Sequence, residues 1–375
     1  MFLNSRRSAY LPSDRDLIGQ AHAAEVRRFL ELCPAYRATP LLPLTDFAEE
    51  CGVAGVYLKA EWSRMGLSSF KALGGTYAVA LLVQARASAA LGRPVSPDEL
   101  CSAEVRSTVS GMAVVCASAG NHGLAVAAGA RIFGVRAVIC LSEAVAERYA
   151  IRLREKGATV MRYGMTYEES MAHARTEAER HGWELVSDSS WLGYTTVPLS
   201  VMRGYTVMLE EAADMMESMR GPATHVFVQA GVGGLAAAAV AYLRDRWGEC
   251  FKFIVVEPEG APCMLESVRQ GRPIRVAGTP TMLGRLDCKE PSLLAFDLLS
   301  RLADAFMRVS DANADDTAMR LVAQGAPVSA CGAAGAVGLI AACNNDAWRR
   351  NIGLDAHSHV LLIGTEAAMD PTEKH

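Results

Sequence analysis

Short runs of β-branched and apolar residues recur along the chain, each followed by a longer alanine-rich stretch of helical length. The pattern predicts strands at Val56–Lys59, Ala113–Ala117, Ala137–Leu141, Thr159–Arg162, His225–Gln229, Phe253–Glu257 and Val360–Ile363. Helices are expected between them, at Ala72–Ala90, Leu124–Phe133, Glu143–Glu155, Thr166–Arg180 and Leu235–Arg246. Parallel strands need such long crossovers, so the chain reads as βαβ units in open, mostly parallel sheets. Several strands end in Gly or Ser just before a helix, and ligands of open α/β sheets bind at those carboxyl ends. With 375 residues there is enough chain for a large domain or two intertwined ones. Residues 91–109, with Pro94 and Pro97, read as a polar surface excursion, and Pro371–His375 as a frayed end.

Composition removes several function classes. A net charge of −4 without basic runs argues against nucleic acid or an anionic membrane as partner. Ten scattered cysteines, with no CxxC, read as reduced thiols of a cytosolic protein. The opening MFLNSRRSAY lacks the apolar core of a signal peptide, so a cytoplasmic location is expected. Gly221–Leu243 and Leu321–Cys343 carry no Asp, Glu, Lys or Arg, yet their glycines and alanines suit buried helices of an α/β core better than a membrane span. No GxxxxGK[ST] or HExxH occurs, Gly231-Val232-Gly233-Gly234 falls short of GxGxxG, and Ser118 lacks the first glycine of GxSxG. No His, Cys and Asp cluster has metal-ligand spacing, and no metal is expected.

Three segments carry chemistry. In Gly66-Leu-Ser-Ser-Phe-Lys71-Ala-Leu-Gly-Gly75, Lys71 stands just inside a helix start among apolar neighbours, with Ser68 or Ser69 available as the cap. Burial there lowers an amine's pKa and makes it a nucleophile or Schiff-base former; the plain alternative is a snorkelling surface lysine. Ser118-Ala119-Gly120-Asn121-His122 follows a strand and opens a helix, so its amides suit a carboxylate and Asn121 a phenolic oxygen. Gly231-Val232-Gly233-Gly234-Leu235 opens a second helix, where glycines let backbone N–H groups approach a phosphate. Each loop alone is also readable as a close-packed turn. Together, an amine, a carboxylate loop and a phosphate loop meet the needs of pyridoxal 5′-phosphate.

In that order, Ser-Ser-Phe-Lys71, Ser118-Ala-Gly-Asn-His122 and Gly231-Val-Gly-Gly-Leu235 resemble the fold-type II, tryptophan-synthase-β-like pyridoxal-phosphate enzymes. Over nearly its whole length the chain is similar to diaminopropionate ammonia-lyases. The segments Pro34–Leu41, Lys59–Leu67, Asp188–Tyr194, Met202–Tyr205, Thr281–Gly284, Cys288–Pro291, Thr365–Glu366 and Asp370–Pro371 carry that likeness. It implies two α/β domains with the cofactor in the cleft between them: residues 1–76 with 200–375, and a smaller inserted domain, 77–199. It also implies a homodimer without nucleic-acid or membrane partners.

For the site, the resemblance implies Lys71 as Schiff-base lysine and base, with Phe70, Asn121, Gly231, Val232, Gly233, Gly234, Leu235 and Thr365 around the cofactor. Ser118, Ala119, Gly120 and His122 would hold the carboxylate of an amino-acid substrate, and Asp188 its β-ammonium. The implied reaction is β-elimination on a small L-amino acid, L-2,3-diaminopropionate or a close analogue, giving pyruvate and ammonia through an aminoacrylate. Three places depart from the family pattern. Ala119 stands where an aspartate serves the D-isomer, Cys331-Gly-Ala-Ala-Gly335 replaces Gly-Glu-Ser-Gly, and Ala367 and Ala368 replace Gly-Asp. A serine/threonine-type dehydratase, a β-replacement synthase and a non-catalytic pyridoxal-phosphate-binding homologue are the alternatives. Arg285, Asp287 and Lys289 are expected to be solvated charges rather than a gate over the cleft.

Overall fold

The computed structural model describes residues 1–368; the expected fraying at Pro371–His375 and the Asp370–Pro371 segment lie outside them. Eleven strands are present among the described residues: β1 (Phe2–Leu3), β2 (Leu41–Pro43), β3 (Gly55–Ala60), β4 (Ala113–Cys116), β5 (Arg136–Leu141), β6 (Thr159–Arg162), β7 (Glu184–Leu185), β8 (His225–Gln229), β9 (Lys252–Pro258), β10 (Ala305–Val309) and β11 (His359–Gly364). They form a seven-stranded sheet, ordered β1-β10-β9-β8-β11-β3-β2, and a four-stranded sheet, β6-β5-β4-β7. The second is wholly parallel, and the first is parallel except for its two edge strands.

All seven predicted strands appear within a residue of their expected limits. The strands missed, β1, β2, β7 and β10, include three of only two or three residues. These lack the apolar run that a strand buried on both faces must carry. The helix expected from Glu143 begins at Glu147, because residues 143–146 turn and Glu143 N–H donates to Gly164 O at 2.7 Å. Residues 91–109 are more than a surface excursion. Val95, Leu100 and Val105 are buried, and Ser102 caps a short helix, Ala103–Thr108, by accepting from Val105 N–H. Gly221–Leu243 resolves into a strand, a turn and a helix, and Leu321–Cys343 into the end of one helix, a turn and a second helix; no helix among the described residues is long and apolar enough to cross a membrane.

Alanine explains the packing of the helices against the sheets. In Gly234–Trp247 and Ala330–Cys343 nearly every residue is buried, and small side chains let the backbone lie close to β8, β9 and β11. The helix Lys71–Leu91 makes the closest crossings. A Cβ on Gly204 would stand 2.5 Å from Gly74 Cα, and one on Gly75 would stand 2.6 Å from Ala125 Cβ. This helix therefore runs between Thr196–Gly204 on one side and Asn121–Phe133 on the other, fixed at its first turn by glycines.

Gly74→Ala tests that crossing. Helix propensity alone favours alanine by about 1 kcal/mol. Overpacking against Val201 and Tyr205 opposes it by about 1–3 kcal/mol, so a net loss of stability is expected in urea unfolding. A variant as stable as the parent would refute the crossing.

Candidate active site

The carboxyl ends of both sheets converge on one cleft. Lys71 follows β3, the Ser118–His122 loop follows β4, Asp188 follows β7, the glycine loop follows β8 and Thr365 follows β11. Lys71 is the first residue of its helix; Phe70 stands at the cap position without a side-chain cap bond, and Ser69 Oγ, one residue earlier, accepts from Lys71 N–H at 3.2 Å. The loop before it is strained: Met65 and Ser68 have φ of 51° and 58°, which non-glycine residues seldom adopt. Backbone pairing holds it there. Phe70 N–H donates to Thr365 O at 3.1 Å, and Ala367 N–H to Ser68 O at 3.0 Å.

Lys71 Nζ lies 2.6 Å from Asp188 Oδ2, with the two side chains 21 % and 22 % exposed. Its ammonium also sits 5.1 Å from the Phe70 ring centre and 5.6 Å from that of Tyr205. Burial is the largest single influence on Lys71 and pulls its pKa down, as the sequence suggests, but the Asp188 carboxylate and the Tyr205 hydroxyl together outweigh it and raise the amine above its ordinary value. The expectation of a lowered pKa is therefore corrected by a partner that burial arguments do not see. For Asp188, burial is the largest single influence and pushes upward, but the charge and hydrogen bond of Lys71, with smaller contributions from His122 and its own backbone N–H, together hold the carboxyl below its usual range. An acid shifted down keeps its contribution to stability above its ordinary pKa, and an amine shifted up keeps its own below its ordinary pKa. The pair is thus intact across neutral pH.

Asp188 is held from both sides of the cleft. Tyr194 Oη, which donates to Leu185 O at 2.6 Å, accepts from Ser187 N–H at 3.1 Å. Ser190 joins Ser292 through hydroxyls 2.7 Å apart, and its Oγ accepts from Leu294 N–H. Asp188 caps no helix; its described polar partner is Lys71. His122 is buried beneath the loop with Nε2 3.0 Å from Val186 O, and burial lowers its pKa. What it offers a ligand is its backbone at the helix start. Ser118 Oγ accepts from Gly120 N–H at 3.3 Å, while Ser118, Ala119, Gly120 and Asn121 are all partly exposed.

Asn121 Nδ2 donates to Glu366, whose other oxygen accepts from Ser329 Oγ at 2.8 Å. Glu366 also faces Arg285, with Nε and Oε2 3.7 Å apart. Arg285 and Lys289 are not simply solvated, as the sequence suggests. Lys289 Nζ donates to Asp287 Oδ1 at 2.5 Å, to Gly260 O and to Thr279 O, because the loop folds back over them. Glu366 and Tyr205 are the neighbours to which the sequence assigns no role. No spacing connects positions so far apart, although Met202–Tyr205 and Thr365–Glu366 stand in segments that carry the family likeness.

The residues fit pyridoxal 5′-phosphate. The helix Gly234–Trp247 has no side-chain cap, leaving its first amides for an anion. A Cβ at Gly231 would come within 2.9 Å of Cys288 Sγ, and one at Gly233 (φ 95°) within 2.5 Å of Met264 Cε. A cradle of bare backbone therefore requires glycine at both. Val232 and Leu235 flank it, and Val232 O accepts from Ser292 N–H at 2.9 Å. Thr365, 5 % exposed, accepts through Oγ1 from Gln229 Nε2 at 3.1 Å. Among the described residues no group of three His, Cys, Asp or Glu could hold a metal ion.

Asp188→Asn removes the strongest influence that favours the Lys71 ammonium, so burial and the helix terminus, which favour the neutral amine, then act against only the weaker pull of Tyr205 and the ring faces. The rate at which apoenzyme captures pyridoxal 5′-phosphate, followed by absorbance, should then shift its pH dependence toward lower pH by about 1–3 pH units. An unmoved profile would show that the carboxylate does not control the amine.

Comparison with known proteins places this geometry. Residues 32–365 match the family described as pyridoxal-phosphate dependent enzyme. Diaminopropionate ammonia-lyase from Escherichia coli (strain K12) is 33 % identical over 366 residues, covering 94 % of this chain and 90 % of that protein. The crystal structure of the Escherichia coli diaminopropionate ammonia-lyase with D-serine superposes with a TM-score of 0.88 at 30 % identity, covering 99 % of this chain and 94 % of that one. Its complex with an aminoacrylate–pyridoxal-phosphate azomethine reaction intermediate gives a TM-score of 0.86 at the same identity and coverage. A strained loop that presents a lysine, an uncapped glycine cradle and full-length likeness to these enzymes agree: the chain is a pyridoxal-phosphate-dependent lyase and belongs to the diaminopropionate ammonia-lyase family.

Proposed function

We propose that this chain eliminates the β-amino group of L-2,3-diaminopropionate, yielding pyruvate and ammonia. The observation that carries the substrate is Asp188, an ionised carboxylate in the cleft that already holds an ammonium at 2.6 Å. The β-ammonium of a diamino acid has the same charge and donor geometry as the lysine head it would meet. Because Asp188 stays ionised at neutral pH, its role is to bind and orient that ammonium rather than to donate a proton. Bound pyridoxal phosphate supplies the electron sink that makes the α-proton acidic. Lys71 would hold the cofactor, and its amine is placed to take that proton. The glycine loop would hold the phosphate, Phe70, Asn121 and Thr365 the ring, and Ser118–His122 the α-carboxylate.

Ala119 sets the stereochemical proposal. The loop Ser118–His122 contains no carboxylate, so Lys71 alone is assigned the α-proton and the L-isomer is the substrate. Serine, with a hydroxyl in place of the β-ammonium, is the discriminating competitor, since the same loop resembles that of serine/threonine dehydratases. The proposed domains are 1–76 with 200–375 around the seven-stranded sheet, and 77–199 around the four-stranded one. A cytoplasmic homodimer completes the reading; the ten cysteines, all free in the structure, support a reducing compartment.

Pyruvate release from L-2,3-diaminopropionate, read in a coupled assay, is the direct test, and its absence would reject the substrate. Lys71→Ala should lower turnover by about 10²–10⁴-fold or more. Asp188→Asn should reduce kcat/KM for the diamino acid by about 30-fold or more. L-Serine should lose far less, and equal losses on both would remove the ammonium-binding role. The D-isomer should give little pyruvate beside the L-isomer.

A further inference from the structure

Arg285 stands where the two walls of the cleft meet. It belongs to the loop that precedes Pro291, and its main chain touches the phosphate cradle: a Cβ on Gly231 would lie 3.2 Å from Arg285 O and 3.4 Å from Leu286 Cα. Its side chain reaches the opposite wall. A Cβ on Gly120, in the middle of the Ser118–His122 loop, would overlap Arg285 Nη1 and lie 3.4 Å from Cζ. The guanidinium therefore occupies the side-chain position of a glycine in the very loop whose amides are assigned to the substrate carboxylate. Its side chain is 29 % exposed, so its charge is partly shielded from water.

Two contacts hold it there without using up its donors. Nε faces Glu366 at 3.7 Å, longer than a good hydrogen bond, and Cζ lies 6.0 Å from the Tyr149 ring centre. Nη1 is turned toward Gly120. Glu366 is shared with Asn121, on the same loop as Gly120. An anion entering at the amides of this loop would thus meet a cation on the large-sheet side that is oriented but incompletely paired. Arginine suits that task, because its planar fork can present two donors to a carboxylate.

We propose that Arg285 reads the α-carboxylate of the substrate, adding a side-chain cation from one wall to the backbone amides of the other. The bound carboxylate then ties the Ser118–His122 loop to the 281–291 loop, and Arg285 selects amino acids over simple amines. The proposal rests on the assignment of the Ser118–His122 loop to the carboxylate, but not on the identity of the β-substituent.

The experiment uses holoenzyme and two probes that differ only in the carboxylate. L-Alanine, which has no β-leaving group, and ethylamine are titrated against the cofactor's absorbance band in the parent, Arg285→Ala, Arg285→Gln and Arg285→Lys. Charge-assisted pairing predicts that the preference for L-alanine over ethylamine falls by about 10-fold or more in the Ala and Gln variants, with partial rescue by Lys. With L-2,3-diaminopropionate, KM rather than kcat should carry the loss. Unchanged L-alanine affinity in both Ala and Gln variants would overturn the proposal. So would an equal loss for L-alanine and ethylamine, which would mark a merely structural residue. If the parent gives no pyruvate from L-2,3-diaminopropionate while the L-alanine preference still collapses in the variants, the substrate is wrong and the Arg285 assignment stands.

Discussion

A lysine ammonium and an aspartate carboxylate 2.6 Å apart, each about four-fifths out of water, require both walls of the cleft to be in place. Lys71 comes from the end of the seven-stranded sheet and Asp188 from the end of the four-stranded one. Either group alone in that position would face the cost of an unpaired buried charge. That cost explains the number of tethers on each side: Phe70 and Ser68 bound to the Thr365–Ala367 segment, and Ser187–Ser190 bound to Tyr194 and to Ser292–Leu294. The ion pair also stores the lysine as its protonated form. Capture of the cofactor by Lys71 would therefore begin with removal of that proton.

The strained turn before Lys71 has its own foundation. Lys59, Glu61, Arg64 and Glu211 form a buried cluster, with Lys59–Glu211 at 2.6 Å, Arg64–Glu61 at 2.6 Å and Arg64–Glu211 at 2.7 Å. Thr39 joins through a hydroxyl that donates to Glu61 at 2.6 Å. Burial lowers the Lys59 pKa, whereas for Arg64 the two carboxylates more than offset burial and raise it. Apolar packing of equal volume often matches or exceeds the stability of such a cluster, so stability is a poor reason for it. Direction is a better one. Hydrogen bonds fix the path from β3 through Arg64, and the next residues take the positive φ angles that deliver Lys71 into the cleft.

The fold was largely legible because its central strands are buried on both faces and announce themselves as unbroken apolar runs; β8 and β11 are the clearest cases. Edge strands β1 and β2 pair on one side only and carry no such signature. Lys71 and the two loops were legible because each is local, a strand end followed by a helix start. The state of Lys71 was not, since it depends on Asp188, 117 residues away. Arg285 was misread for the same reason. Whether a charge is solvated depends on what folds over it, and Glu366, Gly120 and Tyr149 come from three different parts of the chain.

The two interwall pairs, Lys71–Asp188 and Arg285–Glu366, give the cleft a nearly neutral interior with alternating sign. A diamino acid at neutral pH would otherwise pay heavily to bring an ammonium and a carboxylate into a partly buried site. In the proposed binding mode each charge would find a partner: the β-ammonium at Asp188, once Lys71 holds the cofactor, and the carboxylate at Arg285 beside Glu366. Binding would then exchange partners rather than bury new charge, which would keep the desolvation cost small. With Asp188 so occupied, burial and the positive end of its own helix would favour the neutral Lys71 amine that the reaction needs, against the weaker pull of Tyr205.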